Sequence, residues 1–526
     1  MRYRTLGALA ISVALGSYAQ AADEKKDDSK DDAEGKKNTG DTPPSEEPTP
    51  SEPSIWDVPR DVLTPATPQR VPSYGAREDW SILPYGYAKL DSIEDSTQSF
   101  DGSVGANLIK RVGIYQGAHR RTSITARDSR VGLQFLAPTF PDFTPMLKGT
   151  RTSGVIEFDF FGTTASDAKR EDTVNFGPVR MRHAYLKLET FVVDIIAGQT
   201  TDLFGWGGYY YPATVAYLGV PGQIYHRAPQ LRIERKFRSD DGNWELMVGI
   251  AAVSPVERDS GVPEGQAGIK FSYKGWKGLA GSGFGSPVLA PLSIGFSGLT
   301  RHFEVPAFRV SPGTETATVN GWGGAVQAMI PVIPVNALYD TSNALTLTGE
   351  FSIGSGIANM YSGMDGGSRF PLLPNPSLNM PQIPYQANVD PGMVTFDRNF
   401  NLKTISWKAL VGGLQYYLPI ESHRTWISGI YSRVWSDNIK TLTPFTSWGA
   451  IFTKMEYIDG NISCELTPAV VLGISFQTVK QTFADVTAPE PVYNGVPANM
   501  PTVPGTGNVP FTARNNRGQL SMAFFF

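Results

Sequence analysis

Several features that would indicate an enzyme or a metalloprotein are missing from this sequence of 526 residues. Cysteine occurs once, at Cys464, which excludes a disulfide scaffold and a zinc site built from several thiolates. The five histidines lack metal-ligand spacing such as H-E-x-x-H, and no G-x-S-x-G elbow or P-loop is present. We therefore predict no catalytic residues, no cofactor and no metal site. A Ser/His site assembled only by folding remains an alternative.

Charge is also scarce. Asp, Glu, Lys and Arg make up 18% of the chain and the formal net charge is −4, so nothing indicates a nucleic-acid partner. Beyond the N-terminus, no stretch of 18 uncharged apolar residues predicts a membrane-spanning helix. Glycine and proline, by contrast, number 54 and 40, which exceeds their average usage. That excess predicts many turns and argues against a helical bundle.

The N-terminus has the pattern of a secretory signal peptide. Arg2 and Arg4 precede an apolar run, and small residues follow, ending in Ala19-Gln20-Ala21. The apolar run is shorter than the roughly 20 residues that a membrane helix needs. We predict a signal peptide over residues 1–21; an ordinary buried helix is the alternative.

The next segment is acidic and rich in proline. Residues 22–54 hold eleven acidic residues and five lysines, whereas the rest of the chain after residue 54 holds 39 acidic and 39 basic residues. A segment so poor in apolar side chains cannot bury enough surface to offset its conformational entropy. We predict that residues 22–82 are a disordered tether or spacer.

From about residue 83 apolar residues recur at every second position. In residues 345–353, Leu, Leu, Gly, Phe and Ile alternate with Thr, Thr, Glu and Ser. Because residues i and i+2 of a strand point the same way, each such segment has one apolar and one polar face. The pattern predicts sixteen strands, at 84–93, 124–137, 150–162, 176–189, 191–201, 229–238, 244–253, 264–273, 292–303, 319–331, 344–354, 405–418, 424–435, 447–466, 469–483 and 513–526.

The connectors between these strands alternate in length. Long connectors follow odd-numbered strands, as at 94–123, 202–228, 355–404 and 484–512, whereas several that follow even-numbered strands have only a few residues. Outer-membrane barrels have this asymmetry, with short periplasmic turns and long outer loops. Two predicted turns, 138–149 and 274–291, are longer than the rule suggests.

These patterns predict one all-β domain over residues 83–526. In hydrocarbon every backbone N–H and C=O must be paired, so an all-β span has to close on itself. We predict a transmembrane antiparallel β-barrel of about 16 strands, in contact with the lipid of the cell outer membrane, with residues 22–82 in the periplasm. A large secreted all-β protein is the alternative.

Aromatic residues add two further signals. The last strand places Leu520, Met522, Phe524 and Phe526 on one face, and a terminal aromatic on such a strand resembles the assembly signal of outer-membrane barrels; we predict that role for Phe526. Aromatic residues near predicted strand ends are candidates for interface girdles; packing within loops is the alternative for each. These candidates are Tyr85, Tyr87, Trp206, Tyr209 to Tyr211, Trp322, Trp407, Trp426, Trp435 and Trp448.

Several motifs, taken in order, resemble the DcaP-like porins. They are Tyr85 to Asp91 (YGYAKLD), Ala126 to Gly132 (ARDSRVG), Val179 to Tyr185 (VRMRHAY), Ala197 to Thr200 (AGQT), the run Gly222 to Arg232 with Arg227, Pro229, Gln230 and Arg232, and near the end Thr467-Pro468, Leu472-Gly473 and Gln481-Thr482-Phe483. The resemblance covers about residues 83–526. It implies sixteen strands, a homotrimer and passive uptake of small solutes. The acidic N-terminal segment and the long connector 355–404 depart from the family's pattern.

Charged residues on the polar faces predict a pore constriction. Connector 202–228 has the position at which general porins fold a loop into the pore. Opposed carboxylates and guanidiniums on neighbouring strands either set a transverse field across the pore or only brace its wall, and both readings stay open. Arginine outnumbers the acidic residues here, which favours anionic solutes. The predicted constriction residues are Arg130, Glu157, Asp159, Arg180, Arg182, Asp202, Arg227, Arg232 and Glu234.

The sequence therefore predicts an outer-membrane porin for passive diffusion of small hydrophilic solutes, with a preference for anions. Two alternatives belong to other classes. One is a substrate-selective channel with a saturable binding site, and the other is a non-transporting surface or structural barrel.

Overall fold

The computed structural model describes residues 81–100, 102, 104, 108–137, 149–162, 177–208, 214–216, 220–257, 260–280, 288–307, 315–335, 343–364, 389–397, 399–420, 424–442, 451–484 and 512–526. The predicted signal peptide over residues 1–21 lies outside the described residues. So does the predicted acidic segment, apart from its last two residues.

Strands make up most of the described chain, as the alternating sequence predicts. They are β1 Ser81–Asp95, β2 Arg121–Thr125, β3 Arg130–Ala137, β4 Arg151–Asp159, β5 Arg180–Glu189, β6 Asp194–Thr201, β7 Arg227–Arg238, β8 Trp244–Val253, β9 Glu264–Ala280, β10 Val288–Pro306, β11 Thr316–Ile333, β12 Leu345–Ser355, β13 Val394–Phe396, β14 Leu402–Thr404, β15 Ser406–Tyr417, β16 Arg424–Trp435, β17 Phe452–Thr467, β18 Val470–Phe483 and β19 Thr512–Phe525. Short helical turns lie at Tyr115–Ala118, Phe204–Gly208, Ala358–Met360 and Ile439–Leu442. Within the ranges given above, none of the helices has the length and apolar character needed to cross a membrane.

Seventeen strands form one antiparallel sheet that closes on itself. Strands pair with their neighbours along the chain, β12 pairs with β15, and β19 returns to β1, where Phe525 lies opposite Tyr87. Both β2 and β3 pair with β1, with Thr125 opposite Asp91 and Arg130 opposite Tyr87, so they form one interrupted strand. The ring therefore has sixteen strands, which confirms the predicted fold class. The two strands left over, β13 and β14, pair with each other in the connector after β12.

The outer face of the ring is apolar. On β19, Leu520, Met522 and Phe524 are each 52% exposed, whereas the alternating Gln519 and Ser521 are 4% and 1% exposed. The same alternation of outward apolar and inward polar side chains holds on the other long strands. Such a belt is favourably solvated by lipid, and ring closure leaves no unpaired strand edge within it. The barrel is therefore a transmembrane barrel.

The connectors alternate in length as predicted, with one correction. The short connectors include 190–193, 239–243 and 468–469. The predicted turn at 274–291 is wrong, because β9 continues to Ala280 and β10 begins at Val288. A register shift at Pro291/Leu292 skips residues 274–276. This bulge breaks the period-two pattern from which the strand ends were predicted.

Five of the eleven aromatic residues proposed for the interface are buried instead, and Tyr209 to Tyr211 and Trp448 lie outside the described residues. Tyr85, Tyr87, Trp206, Trp407 and Trp426 are at most 5% exposed, whereas Trp322 is 52% exposed on the outer face. On β1 the reason is parity, since Tyr85 and Tyr87 alternate with the same period as the inward-pointing Lys89. The interface interpretation is therefore wrong for these five residues.

Candidate pore constriction

The connector between β6 and β7 crosses the lumen; we call residues 202–226 the crossing loop. Near its start the N–H of Phe204 donates to Oε1 of Gln266 on β9, at 2.8 Å. Further on, the N–H of Val215 donates to Oδ1 of Asn461 on β17, at 2.9 Å. Because β9 and β17 are six strands apart around the ring, the loop that touches both must pass through the interior.

The described parts of a second loop, residues 356–364, 389–397 and 399–405, pack onto the crossing loop. The N–H of Gly222 donates to the carbonyl of Ser362 (2.9 Å), and the N–H of Ser362 donates to that of Gln223 (2.7 Å). The N–H of Tyr225 donates to the carbonyl of Met360 at 2.8 Å. Antiparallel backbone contacts therefore hold the two loops together inside the barrel.

An apolar cluster fills the space between these two loops and the wall on the side of β10 to β17. Its members include Phe204, Val220, Ile224, Phe303, Ile357, Met360, Tyr361, Met364, Met393, Val394, Trp407 and Val434, each less than 5% exposed. Apolar burial stabilises by about 25 cal/mol per Å², so a cluster of this size holds the loops firmly. The inward placement of the second loop was not predicted. The apolar residues between positions 357 and 364 could have indicated that this loop is buried.

Five of the predicted constriction residues meet on the wall beneath the crossing loop. The Nε of Arg182 lies 2.6 Å from Oε1 of Glu157, and its Nη1 lies 3.0 Å from Oδ2 of Asp159. Arg180 contacts Asp159 at 2.6 Å, and Arg130 contacts Glu157 at 3.6 Å. The strand register brings them together, since Asp159 lies opposite both Arg130 and Arg180. A register shift after Glu157 turns Arg182 inward beside them.

This charged cluster is tied to the crossing loop, and its centre is closed off from water. Nη2 of Arg182 donates to the hydroxyl of Tyr225 at 2.8 Å, and the hydroxyl of Tyr85 donates to Glu157 at 3.0 Å. The side chains of Arg182 and Glu157 are 0% exposed. The pairing agrees with the wall-bracing alternative, and a field set by these residues across a pore stays a prediction.

An ion pair lies at the base of the crossing loop. Nδ1 of His226 is 2.9 Å from Oδ2 of Asp202, which also accepts a hydrogen bond from Gln266 at 3.1 Å. Burial alone would raise the pKa of Asp202, but His226 and these hydrogen bonds outweigh it and hold that pKa below its usual value. Burial likewise disfavours the charged His226, yet Asp202 and Glu264 raise its pKa, against an opposing contribution from Arg301. Both pKa shifts therefore favour the charged form of each partner.

The three remaining predicted residues make other contacts. Arg232 forms a short contact with Glu234, two residues along β7. The guanidinium of Arg227 lies 4.7 Å from the centre of the Tyr225 ring. Across the described ranges, no three His, Cys, Asp or Glu side chains are placed to hold a metal ion.

A cavity lies between the crossing loop and the wall formed by β17, β18, β19 and β1. It is partly open to solvent, and Thr214, Ala216, Val220 and Pro221 of the crossing loop bound it on one side. The polar residues that line it are Asp91, Asp128, Thr214, Tyr457, Gln477, Arg517 and Gln519. None of the nine predicted constriction residues is among its lining. The period-two alternation on β1 and β19 could have predicted this lining, since it directs Asp91, Arg517 and Gln519 inward.

Comparison with known proteins identifies the fold. No protein-family model matches the chain, and no curated protein is similar to it in sequence. The outer membrane channel DcaP of Acinetobacter baumannii matches with a TM-score of 0.55 and 17% identity, over 87% of this chain and all of that one. An anion-selective porin from Comamonas acidovorans matches with a TM-score of 0.44 and 11% identity, over 85% of this chain and all of that one. The resemblance to DcaP is thus confirmed at the level of the fold, and the chain is a sixteen-stranded β-barrel of the cell outer membrane with the fold of that channel.

Proposed function

We propose that the protein is a porin that lets small hydrophilic solutes diffuse passively across the outer membrane. The observation that carries the proposal is the polar cavity between the crossing loop and the wall of β17 to β1. A loop that narrows a polar lumen and leaves a gap beside the wall provides a sieve for small solutes. The DcaP fold supports the same proposal, because the protein that shares it is a channel.

The predicted preference for anions has lost part of its support. It rested on an excess of arginine, but Arg130, Arg180, Arg182 and Arg232 all pair with carboxylates. A guanidinium whose charge is balanced by an adjacent carboxylate attracts a passing anion only weakly. We therefore propose hydrophilic solutes as the class and keep the anionic preference as a prediction.

Conductance of the purified protein in a planar bilayer tests the proposal. A porin gives stepwise conductance, and its flux rises in proportion to solute concentration. Saturating flux would favour the channel with a binding site. Absence of conductance by protein that keeps heat-resistant electrophoretic mobility would identify a non-transporting barrel and overturn the proposal.

We further propose that the barrel forms a homotrimer and that Phe526 acts as an assembly signal. The resemblance to DcaP-like porins motivates the first, and the mass of the detergent-solubilised protein tests it.

The side chain of Phe526 is 49% exposed, and burial of a whole side chain is worth only about 1.5–3 kcal/mol. The Phe526→Ala substitution should therefore lower outer-membrane levels far more than it lowers the stability of folded barrel. Unchanged levels in cells would argue against the assembly role.

A further inference from the structure

We infer that the selective part of the channel is the cavity beside β17, β18, β19 and β1, and that it favours solutes that donate hydrogen bonds, through hydroxyl or ammonium groups, over anions. The inference rests on the proposed channel function. It moves the determinants of selectivity away from the Arg182 cluster, which lies outside the cavity lining.

Arg517 and Lys89, two cations at this wall, are already neutralised by carboxylates. Arg517 makes two bonds of 2.8 Å to Asp95, and its third nitrogen donates to the carbonyl of Gly102 at 2.9 Å. Lys89 is wholly buried between two carboxylates, forming a short bond to Asp128 and a contact of 3.3 Å to Asp91. An anion that enters the cavity would therefore meet cations whose hydrogen bonds are already made.

The carboxylates outnumber these cations, and one of them has an unused acceptor. Asp128 is 3% exposed and lines the cavity, and its Oδ1 has no hydrogen-bond partner, while Oδ2 accepts from Lys89. A buried acceptor without a partner costs about 1–3 kcal/mol, which a donor from a solute would relieve. Asp128 lies in the break between β2 and β3.

Uncharged polar side chains also line the cavity. Gln477 donates to Gln519 at 3.4 Å, and Gln519 donates to Asp91 at 3.0 Å. The hydroxyl of Tyr457 lies in the same lining and donates to Asp459 at 2.9 Å. Amides can exchange these weak mutual bonds for bonds to hydroxyls, and the ring of Tyr457 offers an apolar face to a sugar or amine. The lining thus suits polyhydroxylated and ammonium solutes.

Charge substitution in the cavity tests the inference. We would compare Asp128→Asn and Asp91→Asn with Asp240→Asn, a matched change at an exposed turn. Reversal potentials are measured in salt gradients. Liposome swelling is measured with xylose, ethanolammonium and malonate. We expect each cavity variant to lower the cation-to-anion permeability ratio about two- to five-fold, the upper figure being the effect of a unit charge about 4 Å away in water.

Further readouts separate the possible outcomes. The shift should shrink between 0.1 M and 1 M salt, because the screening length falls from about 10 Å to about 3 Å. Gln477→Glu adds a carboxylate and should shift the ratio the opposite way, which keeps the test valid if Asp91→Asn fails to fold. Xylose flux that falls in Asp128→Asn identifies hydroxyl donors as solutes; a loss confined to ethanolammonium identifies amines.

An unchanged ratio in all three cavity variants, with a conducting wild type, would overturn the inference and leave the porin function standing. A larger shift of the permeability ratio in Arg180→Gln than in any cavity variant would also overturn the inference. A wild-type barrel that is folded but does not conduct would overturn both.

Discussion

Arg182 is a charged residue that stabilises the barrel wall rather than lining the pore. Its side chain is 0% exposed and holds Glu157 and Asp159 at 2.6 and 3.0 Å. Arg182→Gln leaves two buried carboxylates short of a counter-charge, a change that typically costs about 3–5 kcal/mol. We expect a lower free energy of unfolding in detergent, with a reversal potential close to that of the wild type.

Arg180→Gln is the matched control, since the Arg180 side chain is 29% exposed and its partner Asp159 keeps Arg182. Arg180→Gln should lower the free energy of unfolding clearly less than Arg182→Gln does. A triple substitution of Arg180, Arg182 and Arg232 to Gln that shifts the reversal potential at low salt while stability is kept would instead favour the transverse-field interpretation.

The pair of Asp202 and His226 predicts a pH dependence at the base of the crossing loop. Because the pKa of His226 is raised above 6.5 in the folded protein, its stabilising contribution is complete below pH 6.5 and is lost as the pH rises through the raised pKa. The pKa of Asp202 is lowered below 3.8, so its contribution is lost only at acidic pH. We expect the temperature at which heat-resistant mobility disappears to fall between pH 6 and pH 9.

His226→Gln provides the comparison, because it removes the titrating group and keeps a hydrogen-bond donor near Asp202. The fall in transition temperature between pH 6 and pH 9 should be smaller in this variant. An equal fall in both proteins would show that other groups cause the pH dependence.

At the scale of elements, the strands were predictable and the loops were not. Period-two alternation is a local property, so β12 and β19 could be read directly from residues 345–353 and 517–526. The second loop carries the same kinds of apolar residue without a period. Its inward fold depends on contacts such as the backbone bridge between Tyr361 and Ile224, which are distant in sequence. No local pattern encodes such contacts, although apolar residues in a connector signal that it is buried.

Tyr361 tests whether the two loops act as one unit. It is 0% exposed, forms a backbone bridge to Ile224, and accepts a hydrogen bond from Ser352 at 3.2 Å. Truncating a large buried aromatic typically costs about 3–5 kcal/mol. We expect Tyr361→Ala to loosen both loops and to increase single-channel current noise, while the strand ladder keeps the barrel heat-resistant.

Phe400→Ala is the control, because Phe400 belongs to the same loop and is 47% exposed. Its current noise should match that of the wild type. Similar noise in Tyr361→Ala and the wild type would mean that the apolar cluster does not restrain the crossing loop.

For the whole molecule, the sequence predicted the ring but not where its interior stays open. The faces of the strands showed which residues point inward, Arg182 and Arg517 alike. Which inward sector is filled depends on where the crossing loop lies. That position is set by bonds such as Val215 to Asn461, which join residues 246 positions apart. The nine predicted constriction residues therefore lie outside the lining of the cavity.

Closure of the ring leads to the last prediction. The backbones of Gly86 and Phe526 exchange hydrogen bonds of 3.0 and 3.1 Å where β1 meets the end of the chain. A Cβ atom on Gly86 would lie 2.4 Å from the carbonyl oxygen of Arg130 and 2.9 Å from the ring of Phe526. Since β1 pairs on one side with β3 and on the other with β19, it cannot move away from one clash without straining the other pairing.

Gly86→Ala should therefore weaken closure, and a barrel that opens exposes two unpaired strand edges to lipid. We expect a lower transition temperature of heat-resistant mobility and more unfolded protein after refolding. Gly518→Ala on β19 is the matched control, because a Cβ there would meet no atom within 4 Å. It should leave the transition unchanged or raise it slightly, since alanine restricts the unfolded chain more than glycine does. Equal transition temperatures for the two variants would mean that the join between β1 and its neighbours tolerates a side chain, and that closure does not depend on close backbone approach at Gly86.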